Sequence, residues 1–251
     1  MMFGSSHSLI LPFDYANRDT FDDFEEQLTV LRQRYRFAHV SEVVARVQKR
    51  KRQGLAVILF ENPRQGVLNQ ALPVLVSLGI PFMIFLDPDY VGLNRLPLFE
   101  ELAAYRRTYP ENWTEDEFLG WQQKCLEAPN EVDSFLMSCR ARLGPLPIER
   151  LDPLSFFCTW GKLLEINPEQ VEFGLSINER ISSFERVRDK LQFSEIQLKR
   201  KIQLVRSPKE GFQPDETEKV RQLGIQAIIG HRIEVVDRNS SLVDLPIWKL
   251  N

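Results

Sequence analysis

Apolar and polar residues alternate along this chain in two rhythms. Between Leu55 and Gly92 an apolar run, LAVILF, breaks at the polar turn ENPRQG. Helical spacing comes next in VLNQALPVLVSLG, and a second apolar run closes the stretch as IPFMIFLDPDYVG. A strand-length run, a turn, a helix and another strand make a β-turn-α-β unit, the building block of parallel α/β sheets. Such folds carry their chemistry at the carboxyl ends of strands. Glu61 and Asn62, in the turn after the first strand, are therefore the first candidate site residues.

The same reading extends outward. Leu9 to Phe13 is a short strand ending at Asp14. Phe21, Phe24, Leu28 and Leu31 keep helical spacing, with Thr20 as the expected N-cap. Tyr35 to Val40 reads as a strand and Ser41 onward as an amphipathic helix. After Gly92 the β-α alternation stops. Leu98 to Tyr105, Glu115 to Leu126 and Glu131 to Leu143 read as helices, and Pro145, Pro147 and Pro153 punctuate the chain after them. Residues 93–152 are thus expected to form a helical insertion within a single domain spanning 1–251. Alternation resumes with a helix capped by Thr159 and a strand at Val171 to Gly174. A helix is expected from Phe193 to Leu204 with Ser194 as its cap, then a strand at Val205-Arg206 turning at Ser207-Pro208. A helix from Asp215 to Leu223, a buried strand from Gly224 to Gly230 and a last strand near Val243 to Trp248 complete the pattern.

Composition narrows the function classes. A length of 251 residues, 43% hydrophobic and 27% charged, fits one large α/β domain. A net charge of −3 gives no reason to expect nucleic acid as a partner. The basic run Lys49-Arg50-Lys51-Arg52 reads as a solvated helix end, where cations suit the dipole. No apolar stretch approaches the roughly 20 residues that span a bilayer. The first residues, MMFGSSHSLILPF, lack the basic start and long apolar core of a signal peptide, so a cytoplasmic location is expected. Cys125, Cys139 and Cys158, without CxxC spacing, read as reduced structural thiols.

Three segments of the β-turn-α-β unit resemble the polysaccharide deacetylase (NodB-homology) family of carbohydrate esterases. Leu59-Phe60-Glu61-Asn62-Pro63 stands where the family shows T-F-D-D-G. Ala71-Leu72-Pro73-Val74-Leu75 matches its A-L-P-I-L, and Ile80-Pro81-Phe82-Met83-Ile84-Phe85 its I-P-A-T-F-F. Further on, Cys158-Thr159-Trp160 is similar to the L-T-W helix start and Asp244-Leu245-Pro246 to part of the closing strand. The resemblance covers about residues 9–92 and 154–248 and implies an irregular (β/α) barrel.

It also implies a zinc-dependent N-deacetylase site, in which one Asp and two His of an H-[ST]-x-x-H motif hold the metal. A second Asp is the general base for the metal-bound water, whose pKa the cation lowers. This chain departs from that pattern. The base position carries Glu61 and the metal-Asp position Asn62, while the two His positions carry Ser176 and Arg180. A guanidinium stays protonated and cannot ligate a metal. The chain has three histidines, His7, His39 and His231, none spaced to form a metal pair. No zinc cofactor is therefore expected, although Asp14, Glu61, Asp87 and Asp89 form a possible acidic cluster for an oxygen-preferring cation. The plainer account of that cluster is Asp serving as a turn former.

Arg206-Ser207-Pro208 resembles the family's R-x-P motif, whose Arg orients the catalytic acid, so Arg206 is expected to pair with Glu61. The candidate catalytic residues are thus Glu61 and Arg206, and the candidate substrate-binding residues are Asp14, Asn62, Asp87, Ser176, Arg180 and His231. Trp113, Trp121, Trp160 and Trp248 offer stacking surfaces for sugars but suit core packing better. The leading expectation is a deacetylase-like protein that binds a carbohydrate, a nucleotide sugar or a protein partner of polysaccharide biosynthesis without the zinc reaction. The alternative is a hydrolase removing acyl groups from a sugar, with Glu61 as base in a metal-independent or altered-metal site.

Overall fold

The strand-turn-helix-strand rhythm recurs around a nearly closed ring of parallel strands. The computed structural model describes residues 6–13, 24–51, 54–92, 96, 98–127, 132–146, 156–177 and 184–248. In chain order its elements are β1 (Leu9–Phe13), α1 (Phe24–Arg32), β2 (Arg36–Phe37), α2 (Val40–Gln48), β3 (Leu55–Glu61), α3 (Gln65–Ser77) and β4 (Phe82–Leu86). Then come α4 (Leu98–Thr108), a 3-10 turn at Pro110–Asn112, α5 (Glu115–Glu127) and α6 (Val132–Leu143). The chain finishes with α7 (Trp160–Leu164), β5 (Val171–Ser176), α8 (Phe184–Leu198), β6 (Leu204–Arg206), α9 (Pro214–Gln222), β7 (Ala227–Ile233) and β8 (Leu245–Ile247). It divides into two compact units, residues 1–93 with 158–251, and residues 94–157.

In the first unit the strands take the order β1-β3-β4-β5-β6-β7-β8, all pairs parallel, with β2 against the first residues of β3. The Trp248 N–H donates to the Ile10 carbonyl at 2.7 Å, bringing the end of β8 to β1. Period-two alternation sorts the strand side chains onto two faces. Ile10, Val57, Leu59, Met83, Phe85, Ile229 and Leu245 fill the lumen together with Val40, Val43, Val44 and Val47 of α2. Their neighbours Leu11, Ile58, Phe60, Ile84 and Val205 meet the surrounding helices through Phe24, Leu28, Leu68, Leu75 and Leu191. With both faces covered, β3 and β4 read as continuous apolar runs. Gly174 lies opposite Phe85, and a Cβ there would strike the side chains of Met83 and Phe85, so glycine leaves room for the lumen layer.

α2 stoppers the amino-terminal end of the lumen, its start tied to the approach to β5. His39 Nε2 meets the Glu169 carbonyl at 3.0 Å, and the Ser41 N–H donates to the Glu172 carboxylate at 3.1 Å. The carboxyl ends of the strands form the opposite end, the mouth of the barrel.

Most expected elements form, with three differences. The strand expected over Tyr35 to Val40 shrinks to two residues because Val40 already opens α2. The strand expected over Gly224 to Gly230 runs from Ala227 to Ile233 instead. The helix expected from Phe193 runs from Phe184 to Leu198, so Ser194 is no cap: it lies fully buried in a stripe with Val187, Leu191 and Leu198. The Thr159 cap does form, with its hydroxyl accepting the Lys162 N–H at 3.3 Å. Thr20 lies outside the described residues.

The second unit packs α4, α5 and α6 around Leu102, Tyr105, Phe118, Leu136 and Cys139. Trp113 and Trp121 meet edge to face at 5.7 Å, which makes them packing residues of this unit. Arg140 of α6 pairs with the buried Glu101 of α4 at 2.8 Å. Cys139 and Cys158 are buried free thiols. Burial pushes the Cys158 thiol up to about 12, leaving it protonated and unreactive. Among the described residues no helix is long and apolar enough to cross a membrane.

Candidate functional site at the mouth of the barrel

Glu61 is the last residue of β3, and the alternation that points Val57 and Leu59 into the lumen points its carboxylate there too. It meets two neighbours from other strands. Ser176, the last residue of β5 and fully buried, donates its hydroxyl to Glu61 Oε1 at 2.8 Å. Arg206, the last residue of β6, donates Nε to Glu61 Oε2 at 3.3 Å. Both carboxylate oxygens are thus engaged from inside the protein.

Arg206 is itself 2% exposed and shares its fork among three partners. Besides Glu61, Nη1 donates to the Gly230 carbonyl and Nη2 to His231 Nδ1, the latter at 3.1 Å. The other ring nitrogen, His231 Nε2, meets the Ser207 carbonyl at 2.8 Å. An acceptor at Nε2 and a donor at Nδ1 assign the neutral ring with its proton on Nε2. The register of β7 against β8 shifts between Ile229 and Ile233, which frees the Gly230 carbonyl and turns His231 toward Arg206. Burial draws the Arg206 guanidinium down from its ordinary range, opposed by the charge and hydrogen bond of Glu61.

A second cluster sits at the end of β4. Asn62 adopts a left-handed backbone with φ of 43°, a conformation Asn tolerates better than most residues. That turn lets its N–H donate to the Phe85 carbonyl at 2.8 Å, while its Oδ1 accepts the Asp87 N–H at 2.6 Å. Asn62 therefore staples β3 to β4 with the very oxygen that a metal would require. Lys190 of α8 reaches both Asp87 and Asp89 at 2.8 Å, and Arg186 reaches Asp89 at 3.0 Å. Burial pushes the Asp87 carboxyl above its ordinary value despite Lys190. At Asp89 burial acts the same way, but Lys190 and Arg186 outweigh it and hold the carboxyl below its ordinary value.

The structure thus brings together Glu61, Ser176, Arg206 and His231, and links Asn62 to Asp87. Asp14 and Arg180 lie outside the described residues. The acidic cluster expected from Asp14, Glu61, Asp87 and Asp89 is divided among cations: Glu61 goes to Arg206, and Asp87 and Asp89 go to Lys190 and Arg186. Among the described residues no three His, Cys, Asp or Glu side chains converge on one point. Zinc, which the fold implies, does not fit the described side chains. Around Glu61 they offer a hydroxyl, an amide oxygen already committed to a backbone N–H, and a fixed guanidinium. Lys190 and Arg186 are participants that sequence reasoning missed. The signal was present in the Val187–Leu191 pair at helical spacing, which places Lys190 one position from a buried residue of α8.

A cleft of about 780 Å³ opens beside His231, lined by the β6–α9 loop, α9, and residues flanking the β7–β8 turn. Phe212, Thr217 and Arg221 contribute to one wall, and Arg232 and Asp244 to another. A Cβ on Gly230 would collide with the Asp244 carboxylate, so the glycine lets that acid lie against β7.

No protein-family profile matches this chain, and no curated protein matches it. Several solved structures are similar in fold. IcaB from Ammonifex degensii superposes with a TM-score of 0.65 at 16% identity, over 98% of this chain and 93% of that one. The Streptococcus pyogenes deacetylase PplD gives 0.60 at 10% identity, over 97% and 90% of the two chains. BC0361, a polysaccharide deacetylase from Bacillus cereus, gives 0.59 at 8% identity, over 97% of this chain and 63% of its own. The fold is that of the polysaccharide deacetylases.

Proposed function

We propose that this chain is a deacetylase-fold protein of carbohydrate metabolism that binds a glycan, a nucleotide sugar or a partner enzyme and has given up zinc-dependent N-deacetylation. One observation carries the reading: Asn62 and Ser176, at two positions that the resemblance gives to metal ligands, are spent on the Asp87 N–H and on the Glu61 carboxylate. A catalytic zinc site needs anionic or imidazole donors with one open position. A bonded amide oxygen and a serine hydroxyl are not such donors. A barrel mouth lined by polar side chains rather than metal ligands suits a binding protein. A cytoplasmic setting belongs to the same reading. It is supported by Cys139 and Cys158 being free thiols, the state that a reducing compartment maintains.

The test is metal analysis of the purified chain by mass spectrometry, paired with a deacetylation assay on N-acetylated oligosaccharides with and without added zinc. The expected result is zinc far below one equivalent and no release of acetate. One equivalent of zinc together with turnover refutes the proposal.

A further inference from the structure

The cleft beside His231 carries an aromatic side chain and several charged ones. Phe212 is half-buried, packed at its base against the helix-side core, and presents ring surface to the cleft. A flat aromatic next to a hydrogen-bonding group such as the Thr217 hydroxyl is the lining that suits a pyranose ring. The charges decide more. Arg232 is committed to Asp244 at 2.6 Å and to Glu234 at 3.0 Å. Arg221 has a single carboxylate contact among the described residues, the exposed Glu218 at 4.0 Å. Lys209, at the exposed turn after β6, makes no ion pair among the described residues, and neither does its neighbour Glu210. The lining therefore holds two weakly committed cations, Lys209 and Arg221, against one uncommitted carboxylate.

We propose that this cleft binds a saccharide bearing an acidic substituent, a carboxylate or a phosphate, with the sugar face on Phe212 and the anion met by Lys209 and Arg221. The proposal rests on the proposed function, in which the mouth binds carbohydrate, and it names the class of carbohydrate. Charge-assisted hydrogen bonds to a guanidinium or ammonium are roughly twice as strong as neutral ones, so the acidic group supplies much of the selectivity.

Ligand-observed NMR titration of the whole chain with glucose, glucuronic acid and glucose 6-phosphate tests it. One or both acidic sugars are expected to bind about tenfold more tightly than glucose, the gain that one charge-assisted contact gives. Which of them binds separates carboxylate from phosphate as the source of the anion. The preference should fall as salt rises. It should disappear in the Lys209→Ala/Arg221→Ala double variant, which removes only exposed side chains and so should keep the wild-type melting temperature. Equal affinity for all three sugars, or a double variant that keeps its preference, overturns this inference and leaves the reading of a glycan-binding mouth standing. Failure of every sugar to bind overturns the inference and removes sugar from that reading, while the metal analysis still judges the loss of zinc chemistry separately.

Discussion

Asp87 is 4% exposed and lies under Lys190, and for its charge the burial outweighs the partner. A carboxyl whose pKa is raised on folding destabilises the fold at pH values above the folded pKa. That penalty vanishes below its unfolded value near 3.8. Asp87→Asn keeps an oxygen to accept the Asp89 N–H and removes the penalised charge. The variant should melt above the wild type at neutral pH, and the gap should close as the pH falls toward 3.8. Thermal melts across that pH range decide it, and a variant melting below the wild type at neutral pH would show the Lys190 contact to be the larger effect. At this scale the sequence is informative where strand ends set the geometry. Pattern places Arg206 on a strand, while Glu61 reads as a turn residue and Ser176 enters only through the family resemblance; in the structure all three close strands and period two aims them inward together. Helical spacing places Lys190 beside the buried Leu191, but that it meets Asp87 and Asp89 is a tertiary fact that no local pattern encodes.

At the scale of elements, α8 shows how propensity misleads. Serine is a favoured N-cap, so Ser194 before a polar, helix-forming stretch has the look of a start. The stripe Val187, Leu191, Ser194 and Leu198 runs through it instead, with the serine as one small polar residue on the core face. Its hydroxyl is buried with no hydrogen-bond partner among the described residues. A buried unsatisfied hydroxyl costs free energy, and alanine is the better helix former, so Ser194→Ala should stabilise the protein by about 1 kcal/mol. Urea denaturation monitors this directly, and a destabilised variant would mean that the hydroxyl has a partner in solution, such as a bridging water. Elements with unambiguous rhythm give no such trouble: β3, α3 and β4 lie where the apolar runs and the polar turn put them. Short strands such as β2 are overestimated because pairing, rather than composition, sets their ends.

For the molecule as a whole, β-α alternation stops after Gly92, and residues 94–157 are a compact unit with its own aromatic core. Sequence alone leaves unstated how the barrel unit is joined where that segment leaves and returns. The Gly92 N–H donates to the Cys158 carbonyl at 3.0 Å, and the Cys158 N–H to the Pro63 carbonyl at 3.1 Å. The two ends of the barrel chain are therefore hydrogen-bonded neighbours held against the β3–α3 turn. A short Gly/Ser link spans such a gap at little entropic cost, and the buried backbone on either side needs no new partner. Replacing residues 94–157 by a link of about four residues should leave a barrel that melts cooperatively, with circular dichroism reduced by the helical signal of α4 to α6. The shortened chain should also keep the Glu61–Ser176–Arg206 network, because all three residues stand on β3, β5 and β6 of the remaining unit. Broad, non-cooperative melting of a monomeric sample would count against this and show that the barrel needs the second unit in order to fold.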